Sequence, residues 1–188
     1  MELMEAIKGR RSVRSYKSQR VGKERLEKIL EAAKWAPSWA NTQCWEFIVI
    51  KNPETKRRLS ETLSKGNSAT KAVASAPLVL VACAKKGLAG FYHNRPTTSK
   101  GDWYMFDMGS AIQNLTLAAY SLSLGTVNVG NFNAEDAAKI LGVPENVVVV
   151  ELLPLGYPEK TPNPPPRKSV KDFVFYEEYG NRKLEEDR

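Results

Sequence analysis

The longest hydrophobic pattern in the chain lies between Asp107 and Glu135, an interval that holds no charged residue. Its first part predicts one helix over residues 102–124. Met105, Met108, Ile112, Leu115, Ala119 and Leu122 recur at steps of three and four, the period of a single helix face. Gly109, Ala111, Ala118 and Tyr120 occupy other faces, with only neutral polar residues between them. A surface helix carries a solvated charged face; this one has none, which predicts burial nearly all round. Gln113, Asn114, Thr116, Ser121 and Ser123 make it too polar for a membrane span. A chain of 188 residues has little surface with which to enclose such a helix, which points to a second subunit.

The rest of the pattern alternates short helices with apolar strands. Residues 2–8 read as a short amphipathic helix with Leu3, Ala6 and Ile7 on its apolar side. Residues 23–35 read as a second helix, with Leu26, Ile29, Leu30 and Ala33 as its stripe and Pro37 as its stop. Strands are predicted over residues 46–51, 77–84 and 146–155, the middle one apolar on both faces and therefore central. Asn52-Pro53 opens a helix to about residue 63, and Asn133 caps another that ends before Gly142 and Pro144. Residues 65–75 read as a loop with a helical turn, and residues 126–129 as a short strand before the turn Gly130-Asn131. Residues 85–101 lack periodicity and hold the only histidine, His93. A long irregular segment of this kind is a lid or binding loop, with His93 simply exposed. Residues 161–166 are proline-rich and extended, and residues 173–179 form an aromatic tail that reads as reaching onto a neighbouring subunit. These elements predict one α/β or α+β domain over residues 1–188 with a small sheet.

Charge and motifs narrow the chemistry. The net charge of +7 favours anionic ligands. Lysines and arginines are scattered over helices rather than gathered in a stripe with interleaved aromatics, which argues against nucleic acid. Cys44 and Cys83 stand far apart without a histidine pattern, which excludes a disulfide framework and a zinc site. No apolar N-terminal run resembles a signal peptide, so the reading is a soluble cytoplasmic protein with no membrane segment. Gly125 and Gly130 have the spacing of a phosphate loop, but Asn131 and Phe132 stand where lysine and a hydroxyl residue are needed, and no Gly-x-Gly-x-x-Gly occurs. No nucleophile or metal motif is present, so no protein side chain is read as catalytic and a bound cofactor is expected to carry the chemistry.

Two stretches have the composition of binding sites. Arg10-Arg11-Ser12-Val13-Arg14 places three guanidinium forks and a hydroxyl within five residues, a set that matches phosphate oxygens; its bland alternative is a solvated basic turn. Residues 35–45 are uncharged and rich in indoles and amides, with Trp39 and Trp45 flanking Asn41 and Gln43. Such a loop suits a flat aromatic ligand with polar edges.

Those stretches, together with Ala36-Pro37-Ser38-Trp39-Ala40-Asn41-Thr42-Gln43, Asp107-Met108-Gly109, Gln113-Asn114, the turn at Gly130, Leu155-Gly156-Tyr157-Pro158 and Arg167-Lys168, resemble the nitroreductase family of FMN-dependent oxidoreductases. The resemblance implies an α+β fold in which a small mixed or antiparallel sheet is surrounded by helices. It implies a homodimer whose long central helix packs at the interface and whose C-terminal arm wraps the partner. FMN is the implied cofactor, held in clefts between the subunits. Arg10 and Ser12 are implied to hold its phosphate and ribityl end, with Arg167 as a second phosphate contact and Arg11 and Lys168 in the same cofactor-binding set. Arg14 is implied near flavin N1 and O2, where a cation stabilises charge on the reduced ring. Pro37, Ser38, Trp39, Asn41 and Gln43 are implied to come from the other subunit, and Gly130 and Asn131 to approach flavin N5 and O4.

The implied reaction is a ping-pong transfer of hydride from NAD(P)H through FMN N5 to nitroaromatic, quinone or related small-molecule acceptors. Phe91, Trp103 and Tyr104 are the substrate-side residues. The same fold also supports dehalogenation, ene reduction and flavin fragmentation, and a non-catalytic flavin-binding or redox-sensing protein would carry the same phosphate and loop residues. The chain departs from the family pattern at Cys44, where proline is usual, and at Asn131, where a second glycine is usual. Asn67 and Lys71 are the nearest matches for the family's contacts to the flavin pyrimidine.

Overall fold

The strand that organises the molecule is Leu78–Lys85, seven of whose eight residues are buried. In the computed structural model, which describes residues 1–182, the elements run α1 (Leu3–Gly9), α2 (Lys23–Lys34), β1 (Trp45–Ile50), α3 (Pro53–Glu61), α4 (Thr70–Ser75), β2 (Leu78–Lys85), β3 (Phe91–Tyr92), β4 (Arg95–Pro96), α5 (Tyr104–Ser121), β5 (Gly125–Thr126), α6 (Ala134–Leu141) and β6 (Val147–Gly156). The main sheet has the order β1-β2-β6-β5, and every ladder in it is antiparallel. The predicted central strand is therefore central.

Strand periodicity divides β2 between two cores. Leu78, Leu80, Ala82 and Ala84 face a layer built from Leu26, Ile29 and Ala33 of α2 and Met108, Ile112 and Leu115 of α5. Val79, Val81 and Cys83 face the opposite layer, with Leu59 of α3, Val73 of α4 and Ala137 of α6. Helices thus cover both faces of one small sheet, the α+β arrangement expected. Asn52 caps α3 by accepting from Thr55 N at 3.0 Å, Asn133 caps α6 by accepting from Asp136 N at 3.1 Å, and Gly142 ends α6 with φ 67°.

Several expectations need correction. Helix α5 starts at Tyr104, where Asp102 accepts from Tyr104 N at 3.1 Å, and it gives way before Ser123, whose φ is 61°. Nor is it buried all round within one chain. Met108, Ala111, Ile112, Leu115 and Ala119 are buried, but Met105 is 60% and Phe106 64% exposed, and Gly109 and Gln113 share that open side. On α1 only Ala6 is buried, while Leu3, Met4 and Ile7 are exposed. Residues 65–75 contain a true helix, α4, and the irregular segment 85–101 contains the β3–β4 hairpin. The strand predicted over residues 126–129 shortens to Gly125–Thr126 plus a bridge from Val129 to Leu152. Within the aromatic tail the Phe175 and Tyr179 rings lie 4.7 Å apart, a contact compatible with a tail that reaches a neighbouring subunit. Among the described residues no helix is long and apolar enough to cross a membrane, and no cluster of metal-ligating side chains occurs.

Candidate active site

The segment after α1 is pinned beside the end of β6. Val13 N donates to Thr126 O at 2.9 Å, Lys17 N to Tyr157 O at 2.9 Å and Glu159 N to Ser15 O at 3.1 Å. The Tyr16 hydroxyl lies 2.6 Å from Val13 O and 3.0 Å from Pro154 O, and its burial raises the pKa above the ordinary phenol value. Two glycines permit this close approach: a Cβ at Gly9 would run into the Tyr120 side chain, and one at Gly125 would stand 2.6 Å from Val13 Cγ2.

This pinning lines up Arg10, Arg11, Ser12 and Arg14 along one wall of a cleft of about 310 Å³; Pro162, Asn163, Pro165 and Arg167 form the other wall. No carboxylate lines it, and no ion pair among the described residues involves any of its four arginines. The Arg10 guanidinium is held below its ordinary pKa, first by burial and then by repulsion from Arg11 and Arg167. Like charges brought together without counterions are costly unless an anion joins them. Arg11 is steered by carbonyls, with Nη1 2.6 Å from Lys8 O and 2.8 Å from Arg10 O, and Arg14 Nη1 lies 3.4 Å from Ser12 O. The donor set suits a phosphate monoester. Arg167 reaches the cleft from some 150 positions downstream because the extended arm 161–166 folds back over it; Lys168, its sequence neighbour, is exposed and does not line the cleft.

The uncharged loop lies elsewhere. Residues Trp39–Asn41 form a short 3₁₀ turn after Pro37, and Ser38 Oγ accepts from Gln43 N at 3.0 Å. Gln43 Nε2 donates to Asn41 Oδ1 at 3.2 Å. The loop is tied to the first turn of α5, where both oxygens of buried Asp107 lie 3.1 Å from Trp39 N and Cys44 Sγ is 3.8 Å from Oδ2. Burial, and then the Asp107 charge, push the Cys44 thiol up to about 11. Cys44 therefore acts as a neutral buried group at the position where the family pattern has proline.

The basic cleft, in contrast, borders the far end of α5, where Arg10, Arg11 and Val13 meet Tyr120, Leu124 and Thr126. Tyr120 lies thirteen positions after Asp107 along the helix, a rise of roughly 20 Å. Within one chain the arginines come together with Ser12, and the loop residues do not join them.

Gly130 and Asn131 are exposed; neither adopts a positive φ, and a Cβ at Gly130 would meet nothing within 4 Å. Asn131 therefore fits this turn without strain. Asn67 Nδ2 donates to Asn131 O at 3.1 Å, and Asn67 Oδ1 accepts from Ala69 N at 2.9 Å, so Asn67 braces this turn against α4. Lys71 is exposed.

Trp103 packs between the two loops. Its ring lies 5.1 Å from Trp39 and 5.4 Å from Phe106, its Nε1 donates to Thr98 Oγ1 at 3.1 Å, and Lys100 Nζ sits 5.0 Å over it. Asp102 Oδ2 accepts from Gly87 N at 2.7 Å, anchoring the base of the segment that carries the β3–β4 hairpin. Phe91 and Tyr104 are half-buried, and His93, with φ 47°, is exposed at the hairpin tip. The anchoring by Asp102 and Asp107 was missed from sequence. Both carboxylates bind backbone N–H groups of distant loops, and no local pattern encodes that.

Comparisons with known proteins place the chain in a family. Residues 7–157 match the family model described as the nitroreductase family. A protein from Methanothermobacter thermautotrophicus, provisionally named as an NADH dehydrogenase/NAD(P)H nitroreductase, is 35% identical over 166 residues, covering 86% of this chain and 80% of that one. The FMN reductase [NAD(P)H] of Bacillus subtilis (strain 168) is 30% identical over 192 residues, covering 96% of this chain and 76% of its own length. The solved structure of an FMN-dependent nitroreductase from Clostridium difficile R20291 superposes with a TM-score of 0.78 at 28% identity, over 94% of this chain and all (100%) of that one. By the family model, by these relatives and by its fold, the chain belongs to the nitroreductase family.

Proposed function

We propose that the protein is a homodimeric NAD(P)H-dependent FMN oxidoreductase that reduces nitroaromatic, quinone or related acceptors by a ping-pong mechanism. The observation that carries this reading is the convergence of Arg10, Arg11, Arg14 and Arg167 with Ser12 on one cleft free of carboxylates. The FMN phosphate is the anion this set would hold. When bound, FMN would supply the redox chemistry that links NAD(P)H to the acceptor. The protein's own residues bind, orient and shield. Arg14, at the exposed end of the basic stretch, would offset the negative charge that the cofactor gains on reduction. The backbone of Gly130 and Asn131 provides a surface without a bulky side chain facing the ring. Trp103, Phe91 and Tyr104 line the approach for a stacked reactant.

The two-chain character of the site follows from α5. Its exposed side carries Met105, Phe106, Gly109 and Gln113 and no charge, a face suited to its own copy. An axis across the middle of that face carries the loop of one copy, Pro37 to Gln43, toward the cleft end of the other. The exposed apolar face of α1 and the aromatic tail at residues 173–179 extend the same contact.

The test begins with the visible absorbance of purified protein and its mass in solution. A yellow dimer whose flavin bleaches anaerobically with NADH or NADPH and recolours on adding a nitroaromatic or quinone is the expected result. A colourless protein that takes up no FMN overturns the proposal.

A further inference from the structure

The loop at residues 37–43 holds a backbone its own sequence does not favour. Ala40, Asn41 and Gln43 have φ values of 44°, 57° and 47°, all in the left-handed region. An alanine there costs roughly 1–2 kcal/mol, an asparagine less. Strain of this kind persists only where the surroundings over-determine it. Within the loop, Asn41 N bonds to Ser38 O at 3.1 Å and Thr42 N to Trp39 O at 2.9 Å. These close the turn, but they do not fix it to the body of the protein.

At residue 44 the bond from Lys85 N to Cys44 O at 2.9 Å ties the loop's end to β2, and the fixing of residue 39 comes from one carboxylate. Asp107 is 1% exposed and pairs with no cation among the described residues. A buried ion without a counterion is expensive, and an apolar residue at this position of α5 would avoid the expense. What the carboxylate does hold is the loop. The Trp39 N–H lies between its two oxygens at one end of the loop, and the Cys44 thiol approaches Oδ2 at the other. With residue 39 fixed, the Trp39 ring packs on Trp103 at 5.1 Å and an interplanar angle of 43°, and Trp103 is itself bonded to Thr98.

We propose that Asp107 is a positioning residue for the cofactor loop: by clamping residues 39 and 44 it holds the left-handed turn at Ala40 to Gln43 in the shape that receives the flavin of the neighbouring subunit. This rests on the reading of that loop as part of an FMN site. Asp107 contributes no atom to the ligand. It sets how much FMN affinity the loop can deliver, and it ties the loop to the segment behind the β3–β4 hairpin through Trp103.

The experiment uses the full chain with FMN as ligand. Asp107→Leu fills the volume without an acceptor, and Asp107→Asn keeps the shape with one acceptor, so that a poorly folding leucine variant still leaves a usable protein. Two quantities are read: the FMN dissociation constant, by quenching of flavin fluorescence, and the circular-dichroism couplet of the Trp39–Trp103 pair in apoprotein. The expected result is a tenfold or greater weakening of FMN binding by the leucine variant, a smaller one by the asparagine variant, and loss of the couplet in the same order. Adding Ala40→Gly to Asp107→Asn should restore affinity severalfold, because glycine relieves the strain the clamp opposes. Binding within twofold of wild type in both variants overturns the proposal, as does weakened binding with an intact couplet. Failure of the wild-type protein itself to bind FMN is a different outcome; it removes the underlying reading of the site.

Discussion

The two ends of α5 solve opposite problems. At the Tyr120 end, four arginines crowd a cleft without a carboxylate, and burial and mutual repulsion hold Arg10 below its ordinary pKa. At the Asp107 end, a carboxylate is sealed away from water with no cation, and burial raises its pKa while the Trp39 N–H opposes that shift. The first region is electrostatically unsatisfied, which suits it to a ligand anion. The second is satisfied internally, spending a buried charge to hold a strained loop. Attracting an anion and shaping a loop thus rest on separate physics, one long-ranged and screened by salt, the other short-ranged and geometric. In the proposed dimer the two regions meet only across the interface, and four substitutions probe that division.

The largest effect on FMN binding is expected from Phe106→Asp, which puts a charge on the open side of α5. It should yield a monomer by analytical ultracentrifugation and lower FMN affinity by about a hundredfold, close to 2.7 kcal/mol. A monomeric variant that keeps FMN would mean that one end of the helix suffices. Substitution at Ile112 or Leu115, which the sequence pattern alone nominates for the same test, would break the core instead, because both are buried within one chain.

Glu151 is the contrast to Asp107. It is a half-buried acid on β6, beside the irregular register at Ala82, and its buried Oε1 has no hydrogen-bond partner. Burial raises its pKa to about 7 from an ordinary value of 4.5. A raised pKa means that the fold prefers the neutral carboxyl. Its contribution is therefore complete below about pH 4.5 and is lost as pH rises through about 7. Glu151→Gln should then gain on the order of 3 kcal/mol relative to wild type at pH 8.5 and nothing at pH 4, as read by denaturant unfolding. A gain equal at both pH values would show that ionisation is not the cause.

Arg10→Ala tests the cleft. It should weaken FMN binding about thirtyfold, roughly 2 kcal/mol, and flatten the salt dependence, while thermal stability holds or rises as repulsion is relieved. Unchanged affinity would remove Arg10 from the phosphate site. The smallest effect belongs to Ala40→Gly alone, which should stabilise the protein by about 0.5 kcal/mol, the relief of left-handed strain being partly offset by unfolded-chain entropy. Destabilisation by that amount would indicate that the left-handed turn carries no strain.

Much of this was legible in the chain. Local periodicity placed α2, α3, α6 and all three long strands, because each buries one face or both against a single layer. The arginines at 10, 11 and 14 and the amide–indole loop at 35–45 stood out by composition, and their order along the chain carried the family resemblance. What composition could not convey was that Arg167 shares the cleft while Lys168 does not, since a one-residue step along an extended arm reverses the side that a side chain faces. Nor could it foresee the open side of α5: the absence of charge was visible, but the same absence serves a core or an interface.

By itself, then, the sequence determined the elements, the central strand, the basic cluster and the uncharged loop, all of which depend on residues close together in the chain. Only the tertiary structure decided that Asp107 clamps Trp39 across 68 positions, that Asn67 braces Asn131, and that cleft and loop stand at opposite ends of one helix. Those facts depend on where the chain returns in space, and a backbone N–H leaves no mark in a sequence to show which distant carboxylate it will meet.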